Sequence, residues 1–497
     1  MNILFISPEM EPIAKVGGLA DVIGALPRKL LNLGCDVRVV IPYYRDARDN
    51  LQSLKLSSNR LKEEIVTCID WLPVKGEVHE IRIHGVTVYL LRNDSLYDRE
   101  YIYTPPEGDY DDNDMRFGFL SLGALEIAKT LNFRPDIIHC HDWQTSLVPI
   151  CLKWRKHLKD DPFFRDSKII FTIHNLAFQG QFNKDILDKF GLPWFLYAPH
   201  GIEFYGKVNL LKGGITYSDC VTTVSQTYAE EIKTAQYGYG LDGILRSVSQ
   251  DSNKVIGILN GIDYDEWNPQ TDRALYRNYD VSQISAKSMN KTELIKEVGL
   301  TPKDDQPLLG MVSRLTEQKG TDLVVDSLPQ IFDLGYQVVI LGDGEERYER
   351  MLVAARNRFR NSMSVVLGFN DELARKIYAG CDFFMMPSRY EPCGLGQLIA
   401  LRYGSIPIVR GTGGLVDTVV DYTASKEKGN GFAFYEFSKV SFLDALIRAL
   451  SVYDNKAELE EIIQRAMNQD FSWKRSSQLY YDLYQSVIKT EKKGKDR

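Results

Sequence analysis

No two cysteines in this chain are spaced as a CxxC pair, and the seven present (Cys35, Cys68, Cys140, Cys151, Cys220, Cys381 and Cys393) are scattered and odd in number. That pattern suits neither a disulfide framework nor a zinc site, and it points to a reducing, cytoplasmic setting. The N-terminus lacks a basic stretch ahead of a long apolar run, so residues 1–7 read as a first strand and not as a secretory signal. No apolar run approaches the roughly 20 residues of a membrane span. Basic excess is missing as well. The formal net charge is −7, which argues against a general nucleic-acid binder, because nothing is available to displace counterions from phosphates. Only the end is locally basic (Lys489, Lys492, Lys493, Lys495, Arg497), and it reads as a solvated terminus.

What is present is a long chain with ample core. Its 497 residues are 44% hydrophobic, enough for two large domains or three ordinary ones. Short apolar runs recur, each ending in polar residues. Residues 3–7 read as a strand, 18–33 as a helix stopped by Gly34, and 37–41 as a second strand, a βαβ start. The loop between the first strand and the helix, 8–17, is too long for a tight turn. It carries Lys15, then Gly17 and Gly18 at the helix start and Asp21 within it: a mobile cation beside backbone that a ligand can approach closely. Alternation over 66–92 predicts β hairpins. Further strands at 136–140, 168–173, 220–225 and 255–259 run into His139, His141, Asp142, Trp143 and Gln144, into His174 and Asn175, and into Asn260. Polar ends converging from several parallel strands mark a ligand-binding edge better than any one of them does.

The polar stretch 265–291 reads as a linker, after which a second series begins: 307–313, 337–341, 364–367, 382–386 and 406–410. Two of its strand ends carry chemistry. One holds Arg314 and Lys319 ahead of a helix at 322–332. The other is Ser388-Arg-Tyr-Glu-Pro-Cys-Gly-Leu-Gly396, a strand-to-helix turn in which Pro392 fits a first helical turn, Gly394 and Gly396 leave backbone N–H groups open to an anion, and Glu391 stands at the lip. Arginine offers a planar fork to phosphate oxygens and lysine a point charge, so these cations with Lys15 suit a diphosphate-bearing substrate.

Three apparent motifs are read as structural. Asp109, Asp111, Asp112 and Asp114 lack the glycine and distal glutamate of a calcium loop. His139 and His141 share a strand face but have no third ligand nearby, so no metal is expected. Gly342-Asp343-Gly344 is half a dinucleotide fingerprint and reads as a turn.

Seven stretches in order resemble the bacterial glycogen synthases and plant starch synthases: Lys15-Val-Gly-Gly-Leu-Ala-Asp21, His141-Asp-Trp-Gln144, Thr172-Ile-His-Asn175, Asn260-Gly-Ile-Asp263, Ser313-Arg-Leu-Thr316 with Gln318-Lys-Gly320, Glu391-Pro-Cys-Gly-Leu395 and Thr412-Gly-Gly-Leu415. The resemblance runs from residue 1 to about residue 485. It implies an α/β protein of GT-B architecture, two doubly wound Rossmann-like domains facing across a deep cleft. Residues 1–264 would form the acceptor-side domain and 265–470 the donor-side domain, with a helix in 471–497 returning to the first. The implied activity is transfer of glucose from ADP-glucose to the non-reducing 4-hydroxyl of an α-1,4-glucan with retention of configuration and no cofactor or metal. Partners would be that donor and a glucan such as glycogen, with neither nucleic acid nor membrane.

By the same resemblance Lys15, Arg314 and Lys319 would grip the diphosphate as the domains close. Gly17, Gly18, Asp21, Asn260, Thr412, Gly413 and the backbone of Cys393, Gly394, Leu395 and Gly396 would line the donor. Glu391 would bind glucose hydroxyls, with His174 and Asn175 facing the sugar. Asp142 and Trp143 would stand near donor glucose and acceptor, Phe369 would stack the base, and Tyr97 would meet the acceptor. Many retaining GT-B enzymes carry a second glutamate eight positions after the first. Here that position is Ile399, a loss the glucan synthases share, and Val16 replaces a threonine common among bacterial relatives. UDP-glucose as donor, a nucleotide-sugar epimerase and an inactive glucan-binding relative are the alternatives.

Overall fold

The apolar run after Asn2 forms β1 (Asn2–Ile6) at the middle of a nine-stranded sheet in the computed structural model, which describes residues 1–105, 108–252, 255–303 and 305–495. Ile3, Leu4, Phe5 and Ile6 are all buried, as expected of a parallel strand covered on both faces. On one side of β1 lie β2 (Asp36–Pro42) and then β5 (Val86–Arg92), β4 (Leu72–Ile83) and β3 (Asn59–Ile69), the last two joined as antiparallel hairpins. On the other side lie β6 (Ile137–His141), β7 (Lys168–Ile173), β11 (Cys220–Thr223) and β12 (Val255–Gly257). A small sheet that sequence alternation did not reveal pairs β8 (Gln181–Phe182), β10 (Lys207–Asn209) and β9 (Glu203–Phe204), strands too short to show a period.

Because the chain goes from β1 first to β2 and later to β6 on the opposite side, the loops after β1 and β6 diverge and leave a crevice at the sheet's carboxyl edge. The helix Gly18–Asn32 that follows the first loop is closed by Gly34 at φ +85, a left-handed stop that glycine takes without strain.

The chain divides into two units, Met1–Ile258 together with the chain from Trp473, and Leu259–Ser472. The helix Trp473–Lys495 lies with the first unit, against the helix Gly18–Asn32. Trp473, Tyr480 and Tyr484 are buried, and the Tyr484 hydroxyl lies 2.7 Å from Nδ1 of His139.

The second unit holds β13 (Leu308–Val312), β14 (Gln337–Gly342), β15 (Met363–Leu367), β16 (Phe383–Met386), β17 (Ile406–Arg410) and β18 (Phe432–Phe434). Its six parallel strands run in the order β15-β14-β13-β16-β17-β18, so its crevice opens between β13 and β16.

The stretch 265–291 is not a linker, and the division falls nearer Ile258 than residue 264. Many of its polar residues are exposed, but a few key ones are turned inward onto partners distant in sequence. Buried Asp272 accepts from the Tyr403 hydroxyl at 2.5 Å, and buried Lys287 donates to the Ala379 carbonyl at 2.6 Å and to Ser405 Oγ at 3.0 Å. Ile262 pairs with Ser472 in a parallel bridge and its N–H donates to the Phe471 carbonyl at 2.9 Å, so both ends of this unit are tied together within it.

Candidate active site

In the first unit the carboxyl edge at β1, β6 and β7 gathers a buried cluster of ionisable groups. The 8–17 loop folds over Glu9, a residue that sequence reasoning did not single out. One Glu9 carboxylate oxygen accepts the backbone N–H of Val16 at 2.6 Å and of Gly17 at 2.9 Å, and the other accepts the Tyr103 hydroxyl at 2.6 Å. Burial raises its pKa, and the three donors oppose that rise. Its signal was available: an acid three residues past the first strand, inside the loop already marked as functional. Lys15, at the tip, is held by Asp21 at 2.8 Å and Glu11 at 3.2 Å with its side chain 41% exposed. Partial burial works to lower its pKa, and the two carboxylates outweigh that and raise it. The cation expected to be mobile is therefore pre-positioned by two acids, next to the start of the helix at Gly18.

At the end of β6, Asp142 takes φ +55, a left-handed value, and turns its carboxylate back onto β7. It accepts the His174 N–H at 2.7 Å and the Asn175 backbone N–H, and burial still pushes its pKa up to about 7, with Glu9 nearby adding to the rise. His174 Nε2 lies 3.0 Å from Nδ1 of His141, and burial pushes the His174 imidazole down to about 3, so it is neutral at ordinary pH. Lys15, Gly17, Asp142, His174 and Asn175 thus share one edge.

One expectation for this unit is corrected. Tyr97 is fully buried and its hydroxyl donates to the Arg116 carbonyl at 2.8 Å, so it is a core residue that no acceptor reaches. It was placed at the acceptor by the resemblance alone, and the helix Asn113–Thr130 packs over it. Trp143 is 9% exposed and wedged between Phe117, Phe182 and Gly180, where an added Cβ would fall 2.4 Å from the indole; it builds the floor under the edge. The histidine pair makes structural hydrogen bonds: His139 bonds Tyr484 and Thr172, His141 bonds His174, and among the described residues no group of three metal-ligating side chains is placed to hold a metal ion.

In the second unit the crevice lies between the ends of β13 and β16. Gly320, at φ +72, lets the Arg314 to Lys319 turn pass under the Pro387 carbonyl, where an added Cβ would lie 2.1 Å from that oxygen. Lys319 Nζ then reaches Glu391 Oε2 at 2.7 Å, and Ser388 Oγ meets the same oxygen at 3.0 Å. Glu391 is 5% exposed, and among the described residues its hydrogen bonds, from Lys319 and Ser388, both go to Oε2 and none to Oε1. Arg314 is exposed and forms no ion pair among the described residues.

The turn carrying Glu391 is braced from behind. Gly413, at φ +47, sits where a Cβ would be 2.0 Å from the Glu391 carbonyl, and the Gly414 N–H donates to that carbonyl at 3.1 Å. Asn260 is buried beside Cys393, whose thiol burial pushes up to about 12. The helix begins only at Gly396, so Pro392 belongs to the turn and not to a first helical turn. Gly394, at φ +74, supplies the reversal. Ile399 is buried in the core. Phe369, 85% exposed, follows β15 beside the Gly342 turn, whose Asp343 carbonyl accepts the Leu315 N–H at 2.6 Å. Arg314, Lys319, Glu391, Cys393, Gly394, Leu395, Gly396, Thr412, Gly413 and Phe369 all lie at this one edge.

Residues 2–247 match a family model described as the starch synthase catalytic domain, and residues 293–468 one described as glycosyl transferases group 1. A glycogen synthase 2 of Geobacter metallireducens is 47% identical over 486 residues, covering 98% of this chain and 99% of its own. A glycogen synthase of Geotalea uraniireducens is 44% identical over 488 residues, covering 98% and 99%. The solved catalytic domain of starch synthase IV from Arabidopsis thaliana, bound to ADP and acarbose, is similar at a TM-score of 0.89 and 34% identity, covering 98% of this chain and 99% of that one.

Proposed function

The chain belongs to the bacterial glycogen synthase and starch synthase family of GT-B glycosyltransferases, and from that premise we propose that it transfers glucose from ADP-glucose to the non-reducing 4-hydroxyl of an α-1,4-glucan, with retention of configuration and release of ADP. The observation that carries this reading is the split use of the Glu391 carboxylate. One oxygen is taken up by Lys319 and Ser388, and the other, without a hydrogen bond among the described residues, is left to accept a sugar hydroxyl beside the cations that a diphosphate needs. The Arabidopsis relative's bound ADP supports adenine as the base.

The reaction breaks the bond between the anomeric carbon and the diphosphate, whose oxygen leaves with the electron pair. Arg314 and Lys319 face that growing negative charge, with the backbone N–H groups of Cys393 to Gly396 on the same turn, so no divalent metal is required in this reading. Phe369 offers its exposed face to the base. In the first unit Lys15 offers a cation suited to a phosphate, and neutral His174 with Asn175 offers groups suited to sugar hydroxyls.

The test is incubation with ADP-glucose or UDP-glucose, with and without glycogen, in excess chelator, following nucleoside diphosphate release and glucose incorporation. Glycogen-dependent ADP release with matching incorporation is expected. Diphosphate release without glycogen, a preference for UDP-glucose, or activity restored only by magnesium would overturn the corresponding part.

A further inference from the structure

The ring of His141 closes the end of β6 with no exposure to solvent, stacked on Phe5 at 5.6 Å and tilted against His139 at 4.2 Å. Its Nδ1 faces Nε2 of His174 at 3.0 Å, while its own Nε2 is buried with no hydrogen-bonding partner among the described residues. His139 cannot serve it, because both His139 nitrogens are occupied, Nδ1 by the Tyr484 hydroxyl at 2.7 Å and Nε2 by Thr172 Oγ1 at 2.6 Å. Phe5 presents only a ring face.

Burial keeps His141 and His174 neutral, so each carries a single N–H, and one of the two facing nitrogens must donate. Suppose His174 Nε2–H were the donor. His141 Nδ1 would then be the acceptor, its proton would sit on Nε2, and a buried N–H would have nothing to bond. In the opposite arrangement the orphan is a lone pair, and a buried acceptor without a partner is tolerated better than a buried donor. The His141 proton therefore sits on Nδ1 and His174 Nε2 accepts it.

We infer that His141 is a positioning residue that fixes His174 in its Nδ1–H tautomer, so that the one ring nitrogen of His174 left without a protein partner among the described residues is a hydrogen-bond donor, suited to a sugar hydroxyl oxygen. This is opposite to the tautomer imidazole favours in water. His174 then binds without acting as a base through that edge. The role toward the sugar rests on the glucosyltransferase reading above; the tautomer does not.

The experiment is a long-range proton–nitrogen correlation spectrum of the full chain labelled with 15N-histidine at neutral pH, without ligand, the His174 signals being assigned by their loss in His174→Gln. Proton on Nδ1 of both rings is expected; proton on His174 Nε2 overturns the inference. Two variants separate positioning from packing. His141→Asn places an amide N–H where Nδ1 stood, and is expected to keep the His174 Nδ1–H signature and most of the activity. His141→Leu removes the donor, and is expected to release His174 toward the Nε2–H form and to lower kcat/KM for the nucleotide sugar about tenfold. A His141→Leu protein that retains the Nδ1–H signature also overturns it. If His141→Leu does not fold, the wild-type and His141→Asn spectra still decide. Because the spectra are taken without substrate, a wild-type protein with the expected tautomer but no glucosyl transfer would sink the functional reading and leave the role of His141 standing.

Discussion

Lys319 Nζ lies 2.7 Å from one oxygen of Glu391, the same oxygen that Ser388 meets at 3.0 Å. Glutamine at 391 can keep its carbonyl on these two partners while putting an NH2 group where the open carboxylate oxygen stood, turning an acceptor into a donor. Glu391→Gln is therefore expected to melt within about 1 kcal/mol of wild type and to lose about 100-fold or more in kcat/KM, roughly 2.7 kcal/mol or more of transition-state stabilisation. Steady-state kinetics with a thermal melt checks both halves; near-wild-type turnover would return the pair to a structural role.

The pair formed by Lys15 with Asp21 and Glu11 is at the surface, and such pairs contribute about 0 to 1 kcal/mol to stability. Lys15→Ala is expected to fold as wild type yet to lose about 2 to 5 kcal/mol in kcat/KM, the scale for removing one partner of a desolvated charge contact. A kinetic change under about 0.5 kcal/mol would leave Lys15 as a loop brace only.

Gly413 has both a positive φ and a carbonyl where a Cβ would go, so Gly413→Ala cannot be accommodated without moving the Glu391 turn. A stability loss of about 1 to 3 kcal/mol is expected, together with a raised KM for the nucleotide sugar. Gly335→Ala, also at positive φ but with no atom within 4 Å of the added Cβ, is the control: it costs stability and leaves KM alone.

Asp142 gives a pH dependence whose sign is fixed. Its folded pKa, near 7, lies above the ordinary 3.8, so the stability it contributes is fully present below about pH 3.8 and is lost as pH rises toward 7, at about 1.4 kcal/mol per unit. His174 works the other way: lowered from 6.5 to about 3, its contribution is present above pH 6.5 and lost as pH falls. The two oppose each other between about pH 4 and 6.5. Asp142→Asn removes the first slope and leaves the second, so its stability relative to wild type is expected to climb from pH 4 to 7 and then level off. Denaturant titrations at several pH values measure the difference; a pH-independent difference would contradict the raised carboxyl.

Most strands of both sheets were legible because buried parallel strands read as apolar runs, though the short β18 and the start of β3 were not, and the ends were legible because polar residues at a carboxyl edge break those runs. What stayed hidden was set by partners far along the chain. Glu9 is buried under Tyr103, Asp272 reads as an exposed linker acid until Tyr403 and Arg375 close on it, and nothing near His139 in sequence announces that Tyr484, 345 residues away, takes its Nδ1. Tyr97 was misplaced for the same reason, since nothing adjacent to it in sequence announces the helix Asn113–Thr130 that covers it. The edges were thus readable as sites, and the braces that hold them were not.

The position of the helix Trp473–Lys495 also fixes the order in which this protein can be finished during synthesis. Tyr480 and Tyr484 complete the interior of the first unit, yet they leave the ribosome only after the 214 residues from Leu259 to Ser472. At about 5 to 20 residues per second that is a delay of roughly 10 to 40 s. For that interval His139 lacks the hydroxyl that bonds it and the helix Gly18–Asn32 lacks its cover. A nascent chain stalled before Trp473 is accordingly expected to be cut readily by protease within its first 258 residues, and one stalled far enough beyond Tyr484 for that helix to emerge from the ribosome is expected to resist.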